Sequence, residues 1–483
     1  MENKVIKNHK PRVMIAAVSS SSGKTVITTA ILAALKERDM NLSSFKCGPD
    51  YIDPMFHQNV LGIDSLNIDP YFEEPEGIRR LVAKSKGELS VIEGVMGIYD
   101  GIDVKSKKGS CYEIAMMTKT PIILIVNAQG IGATVKSVIK GVLLDDEENL
   151  IKGIILNRMS KGFYEKLRPQ LESEIKGYRP DVCVLGCVPK DDAFNIGSRH
   201  LGLMMPGDID DLAKATKSSA AVVEENCDFK KLIKIAEEAG DIGMGEEAGD
   251  IEIAEAARDL RDEIGDIPGD PCDKTNGKSP VRIAIARDEA FCFYYRENIR
   301  VLEELGAEPV YFSPLHDKAL PENISGILLG GGYPELNLKA LSANRAMMDS
   351  IKNAVNVGMP SLAECGGFMY LHDIIVSPNG SEYKMCGIIN GKCTFSGHLV
   401  NFGYAKITGG KAGEFTGMKC HEFHYYESTE PGEDVILTKP SSGKEYKSMI
   451  AGEGSLWGFP HLYYRSNIAA IESFVQKMRE YGN

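Results

Sequence analysis

The sequence predicts an α/β fold in two parts, the first a parallel sheet covered by helices and the second a further α/β unit. Three observations point there. Short apolar runs at residues 13–18, 89–93, 121–127, 152–157 and 182–188 alternate with helical segments, and near-continuous apolar strands of this kind are buried on both faces of a parallel sheet. The alternation stops in an acidic low-complexity stretch and resumes at Val281. Each part also carries a strand-to-helix junction made of small residues: Ser19 to Thr25 in the first, Ala363 to Gly367 in the second. The expected organisation is a phosphate-loop domain over 1–205, a helical and acidic linker over 206–279, and a second α/β domain over 280–483.

Composition excludes several classes. The net charge of −13 is local: residues 237–270 hold 13 acidic and two basic residues, or −11, which leaves −2 for the rest. No basic stripe suggests nucleic acid. No apolar run reaches the roughly 18 residues of a membrane span. The start, Met1-Glu-Asn-Lys4, lacks a hydrophobic signal region. Eleven cysteines without framework spacing suggest free thiols in a reducing cytoplasm.

The first strand, 13–18, runs into Ser19-Ser20-Ser21-Ser22-Gly23-Lys24-Thr25, and a helical pattern follows to about Arg38. In a phosphate loop the backbone N–H groups at the helix start hold an anion, the Lys reaches the β- and γ-phosphates, and the Thr hydroxyl ligates Mg²⁺. Val18 stands where the strict pattern has its first Gly. The competing reading is a serine-rich turn that caps the helix. Ser19, Ser20, Ser22, Gly23, Lys24 and Thr25 are the expected ATP-binding residues.

The next loop, Lys46 to His57, is broken by Gly-Pro and Asp-Pro and concentrates Lys46, Asp50, Tyr51, Asp53 and His57 at one sheet edge. Asx-turns at the two aspartates are the alternative. The strand 89–93 ends in Glu93. A carboxylate there, beside a phosphate loop, is placed to bind Mg²⁺ directly or through water. Asp100 sits in a glycine-flanked turn, facing the metal or substrate or closing the turn alone. Asn127 and Asn157 end later strands; Asn157 is read as an adenine contact, with a helix cap as the alternative. Ser198, Arg199 and His200 form a further polar loop. A helix is expected near 208–239. The repeated Glu-Glu-Ala-Gly-Asp-Ile at 237 and 246 reads as a solvated spacer.

In the second part, a strand at 281–285, a helix near 295–305, and strands at 309–312 and 326–329 lead to Gly330-Gly331-Gly332-Tyr333-Pro334-Glu335. Cys365 then lies between a buried strand and a helix, the arrangement of a nucleophile elbow, where a helix N-terminus favours thiolate. The glycine loop can supply oxyanion N–H donors. His461 is the candidate base, with His421 and His424 as competitors. A Cys nucleophile that releases ammonia from a carboxamide, joined to a triphosphate site, reads as a glutamine-dependent amidoligase.

Long motifs then match a known family. Lys46-x-Gly-Pro-Asp-Tyr-Ile-Asp-Pro, Glu93-Gly-Val-Met-Gly-x-Tyr-Asp-Gly, Arg199-His-Leu-Gly-Leu, Gly-Gly-Gly-Tyr-Pro-Glu and Ala-Glu-Cys-Gly-Gly resemble the cobyrinate a,c-diamide synthase family over nearly the whole chain. The first part is similar to dethiobiotin-synthetase-like ATPases. The second is similar to class I glutamine amidotransferases of the cobalamin-biosynthesis type. The resemblance implies ATP- and glutamine-dependent amidation of the a and c carboxylates of a corrinoid through acyl phosphates. It implies that Lys46, Asp50, Tyr51, Asp53 and Asp100 contact substrate or acyl phosphate. It implies that Cys365 is the nucleophile, that His461 raises its nucleophilicity, and that Gly331, Gly332, Tyr333 and Gly366 surround the oxyanion and glutamine; Thr25 and Glu93 are the expected metal ligands. Nickel-sirohydrochlorin is the alternative substrate, and a nucleotide-switch partition or scaffold ATPase the alternative class. The sequence leaves a homodimer open. Two departures from the family stand out: Ala17-Val18 replaces the Gly-Thr of related loops, and the acidic repeat segment is longer than expected. Against the broader amidotransferases, Tyr463 stands two residues after His461, where a Glu is common, so a Cys–His dyad is expected rather than a triad.

Overall fold

The computed structural model describes residues 6–102, 104–195, 208–244 and 280–482. The chain divides into two compact units, Met1–Gly249 and Asp250–Asn483. In the first, seven strands form one sheet in the order Asp64–Ile68, Leu42–Cys47, Leu89–Glu93, Arg12–Ala17, Ile122–Asn127, Ile151–Asn157 and Cys183–Val188. Every neighbouring pair is parallel. Strand residues alternate between two cores, as the period of two requires. Met14 and Ala16 pack with Phe45 and Ile92 on one face; Val13, Ile15 and Ala17 pack with Ile27 and Ile31 of the helix Lys24–Lys36 on the other. Both faces are covered, so the apolar runs are continuous rather than alternating.

Residues 208–244, grouped by sequence with the acidic stretch, build onto this unit. The expected single helix is two, Asp208–Asn226 and Phe229–Glu237. The break comes at Asp228, whose side chain caps the second helix by accepting from Lys231 N at 3.1 Å. Ala220, Val223, Phe229, Leu232 and Ile235 join the core beneath the helix Lys24–Lys36. The loop with Ser198, Arg199 and His200, and most of the acidic stretch, lie outside the described residues.

Among its described residues the second unit has two sheets. The first runs Ala307–Phe312, Val281–Ala286, Gly326–Leu329, Ser361–Glu364, Ser455–Gly458 and Ile450–Gly452, with only the last pair antiparallel. The second is a mixed seven-stranded sheet that includes the long strands Ile389–Gly410 and Lys419–Ser428 and the short His461–Tyr463. The motifs at 421–424 and 461 therefore sit on strands of a sheet for which the sequence reading named no elements. The ten described cysteines are free, and no described helix is long and apolar enough to cross a membrane.

Candidate active site

In the first unit the candidate residues collect at the carboxyl ends of the parallel strands, where open α/β sheets place ligands. The helix Lys24–Lys36 begins at Gly23, which has φ +88° and no side-chain cap. The serines therefore do not cap the helix, and its first-turn N–H groups face the loop as an anion site would require. A Cβ at Gly23 would collide with Asn157 Nδ2, and that nitrogen donates to Ser22 O at 2.8 Å. Asn157 thus braces the loop through its amide donor. Ser19 and Ser22 hydroxyls lie 3.1 Å apart, while Ser20 is exposed. Lys24 donates to Met96 O. The turn that follows Glu93 lies against the loop, with Ile98 N donating to Ala17 O at 2.7 Å.

Lys46, Asp53 and Glu93 form one buried cluster, joined by the half-buried Thr25. Lys46 Nζ donates to Asp53 and, at 2.7 Å, to Glu93 Oε1. Asp50 Oδ2 is 3.9 Å from the same ammonium. Thr25 Oγ1 donates to Glu93 Oε1 at 2.8 Å and lies 3.5 Å from Asp53 Oδ2. Burial works against the Lys46 charge, yet Glu93 and Asp53 override it and push its pKa up. Burial alone would raise Asp53, but Lys46 holds it below the ordinary carboxylate range. Burial, then Asp53, push Glu93 up. Glu93 Oε2 and His57 Nε2 are both buried without hydrogen-bond partners among the described residues and stand 3.9 Å apart. His57 Nδ1 meets Ser44 Oγ at 3.2 Å.

Two residues of the predicted substrate set serve local structure. Asp50 Oδ1 accepts from Ile52 N at 2.8 Å, the Asx-turn alternative. Asp100 Oδ2 closes its own turn by accepting from Gly97 N at 2.8 Å. Tyr51 is buried at the start of the helix Ile52–Asn59.

In the second unit Cys365 has φ +47° and ψ −104° between Ser361–Glu364 and Gly366–Leu371. A non-glycine residue held in this region is strained, and a sharp strand-to-helix turn is what exposes a nucleophile. The expected dipole effect does not dominate here. The following helix has six residues, and burial, then the Glu335 charge, push the Cys365 thiol up. The resting group is a thiol that needs a base. Gly331 shows where that base lies, since a Cβ there would collide with His461 Cε1. On the other side of the loop, a Cβ at Gly366 would stand 3.2 Å from Gly332 N. Cys365 and His461 thus flank the same glycine loop. Tyr333 N donates to Ala290 O at 2.9 Å, which removes it from the predicted oxyanion donors and leaves the glycines.

Burial, then His424, lower His461 to about 3, so its imidazole is neutral and able to take a proton. Of the competitors, His424 is occupied. His424 places Nδ1 2.7 Å from Tyr426 O and Nε2 3.1 Å from Glu422 Oε2, and stacks on Phe459 at 3.9 Å. Neither nitrogen is open to Cys365. His421 lies across the strands from His461, with Phe402 and Tyr404 against its ring. The sequence reading missed Glu364, whose Oε2 is 3.7 Å from His461 Nδ1. The rule that singled out Glu93, a carboxylate ending a buried strand, would have found it.

The described residues contain no group of three or more His, Cys, Asp or Glu side chains arranged for a metal. The phosphate-loop cluster instead offers two carboxylates and a hydroxyl, one carboxylate oxygen being unpartnered.

Comparison with known proteins finds a matching domain for each unit. Residues 13–203 match a CobQ/CobB/MinD/ParA nucleotide binding domain, and residues 282–459 a CobB/CobQ-like glutamine amidotransferase domain. Over 472 residues the chain is 35% identical to a cobyrinate a,c-diamide synthase of Clostridium acetobutylicum, covering 96% of this chain and 99% of that protein. The chain belongs to the cobyrinate a,c-diamide synthase family. Other members are those of Clostridium tetani, 35% identical over 96% of this chain and 99% of that one, and Caldanaerobacter subterraneus, 34% identical over 97% and 98%. It is a glutamine-dependent amidating ligase with an ATP-binding domain.

Proposed function

We propose that the chain amidates the a and c side-chain carboxylates of cobyrinate, using ATP to activate each carboxylate and glutamine as the nitrogen source. Similarity to named cobyrinate a,c-diamide synthases along 96% of the chain carries this reading. A substrate carboxylate oxygen attacks the γ-phosphorus, the bond to ADP breaks, and an acyl phosphate forms. Ammonia attacks the acyl carbon, phosphate leaves, and the amide remains after loss of a proton. The open helix start at Gly23 supports phosphate binding, with Lys24 able to swing from Met96 O to the β- and γ-phosphates. Lys46 holds positive charge at the carboxyl edge, where two anions must meet. Thr25, Asp53 and Glu93 would hold Mg²⁺, and the unpartnered Glu93 Oε2 fits that role. When bound, the ion neutralises phosphate charge during transfer.

In the second unit Cys365 Sγ attacks the glutamine carboxamide carbon while its proton passes to His461. The C–N bond breaks, ammonia leaves with that proton, and water cleaves the thioester to glutamate. Gly331 and Gly332 are the proposed oxyanion contacts. The deciding experiment incubates the protein with ATP, glutamine and either cobyrinate or nickel-sirohydrochlorin, and follows products by mass. Two carboxylate-to-amide shifts on cobyrinate are expected; two on the nickel substrate and none on cobyrinate would overturn the substrate assignment.

A further inference from the structure

Glu364 joins the two halves of the Cys–His site. It ends the strand Ser361–Glu364, directly before the nucleophile, and pairs in register with Gly458. Cys365 N donates to the carbonyl of that same Gly458 at 2.8 Å. The Glu364 side chain turns to the strand that carries the base. Its Oε1 accepts from Tyr464 Oη at 3.4 Å, Leu462 N–H also donates to it, and its Oε2 lies 3.7 Å from His461 Nδ1. Both anchoring donors, Leu462 and Tyr464, come from the segment that holds His461. The carboxyl is thereby clipped to the base's own backbone.

The groups whose charge Glu364 acts on are all neutral at rest. Besides His461 they are Tyr294, Tyr464, Cys365 and Cys420. Only His461 among them can become a cation. A buried carboxyl with no permanent counter-charge is costly to ionise, and burial raises Glu364 to about 8. Its carboxylate form, reached by loss of the proton to solvent, is favoured when an imidazolium stands beside it. Glu422, the acidic group that raises His461, is already committed to His424 Nε2 and the Tyr446 hydroxyl.

We propose that Glu364 is the positioning residue of the glutaminase site: its carboxyl lies against His461 Nδ1 and, once it has given its proton to solvent, supplies the counter-charge when His461 takes the Cys365 proton. The residue before the nucleophile thus takes the task that a Glu two residues past the histidine performs in the broader amidotransferases, where this chain has Tyr463. This rests on the Cys365–His461 reading given above.

The test compares Glu364→Gln, Glu364→Asp and His461→Asn in the full chain, measuring glutamine hydrolysis, ammonium-driven amidation and melting temperature. Glu364→Gln keeps the hydrogen bonds but cannot carry charge. It is expected to lower kcat for glutamine by at least about tenfold with KM unchanged, ammonium-driven amidation intact and no loss of melting temperature. The wild-type rise of kcat with pH towards 8 disappears in Glu364→Gln, and Glu364→Asp restores part of both rate and pH dependence. Wild-type kcat and pH profile in Glu364→Gln, with His461→Asn inactive, overturn the role of Glu364 alone. A loss in both Glu364 variants that follows melting temperature makes the residue merely structural and also overturns it. Full glutaminase activity in His461→Asn refutes the Cys–His reading, and the Glu364 proposal with it.

Discussion

Two carboxylates end two buried parallel strands in this chain, and their surroundings differ in one respect. Glu93 closes Leu89–Glu93 against a permanent cation, the Lys46 ammonium at 2.7 Å. Glu364 closes Ser361–Glu364 against a latent one, the neutral His461 imidazole at 3.7 Å. Burial is the leading influence raising both. The difference follows the chemistry proposed for each site. Phosphoryl transfer brings several negative charges together, so standing positive charge must be present before substrate arrives. Acyl transfer from a carboxamide starts and ends neutral and creates charge only in passing. A buried site of neutral groups suits that, provided a counter-charge can appear with the imidazolium.

The contrast can be broken at its strongest point first. Lys24→Ala should abolish amidation with glutamine or with ammonium, whereas Cys365→Ser should abolish only the glutamine-driven reaction. Amidation by each nitrogen donor, read by mass, separates them; ammonium-driven synthesis surviving in Lys24→Ala would refute the role of the loop.

Next in size is Lys46→Met. Removing the cation leaves Asp53 and Glu93 buried and uncompensated, a loss of about 3–5 kcal/mol when one partner of a buried pair is deleted. Thermal melts should show the loss and its partial recovery on adding Mg²⁺. Equal melting temperatures with and without Mg²⁺ in the variant would remove the proposed metal role of this cluster.

A smaller effect is expected in stability against pH. Folded Glu364 titrates at about 8 against an ordinary 4.5, so across that window the folded chain holds a proton that the unfolded chain has shed, and stability falls as pH rises. His461 and His421, lowered chiefly by burial to about 3 from 6.5, act oppositely, losing stability as pH falls below 6.5. From pH 6.5 to 8 only the glutamate contribution of this set remains. Glu364→Gln should flatten the decline there by up to about 1.4 kcal/mol per pH unit; an unchanged slope in chemical denaturation would contradict the raised pKa. The smallest effect is assigned to His424→Asn. It removes a ring held by Tyr426 O and Glu422, and glutamine hydrolysis should remain measurable where His461→Asn abolishes it. The reverse order of the two variants would reassign the base.

Much of both sites is local in sequence. Strand, small-residue loop and helix are contiguous at Ser19–Thr25 and at Ala363–Gly367, and an apolar run ending in Glu announces its own strand end. The Lys46–Asp53 pairing spans seven residues, from the end of the strand Leu42–Cys47 to the first turn of the helix Ile52–Asn59 rather than within one loop, although the sequence could not separate Asp53, which faces the cluster, from Asp50, which closes a turn. That choice depends on side-chain direction after Gly48 and Pro49. Asn157 was legible as a strand end, but its brace on Ser22 spans 135 residues and follows from sheet order. The long mixed sheet around residues 389–428 was not read, because its burial alternates weakly and shifts register.

By itself the sequence determined the two α/β units, the strand–turn–helix junctions at Gly23 and at Cys365 and the family, since each depends on residues adjacent in the chain or on long matching motifs. Only the tertiary structure decided which charges meet. Lys46 reaches Glu93 because their strands are neighbours in the sheet, paired at these residues. Glu364 reaches His461 because Ser361–Glu364 lies beside Ser455–Gly458, which leads into the strand of the base. Such meetings depend on strand order and register, which bring residues far apart in the chain within a few ångströms, where charge interactions are strong.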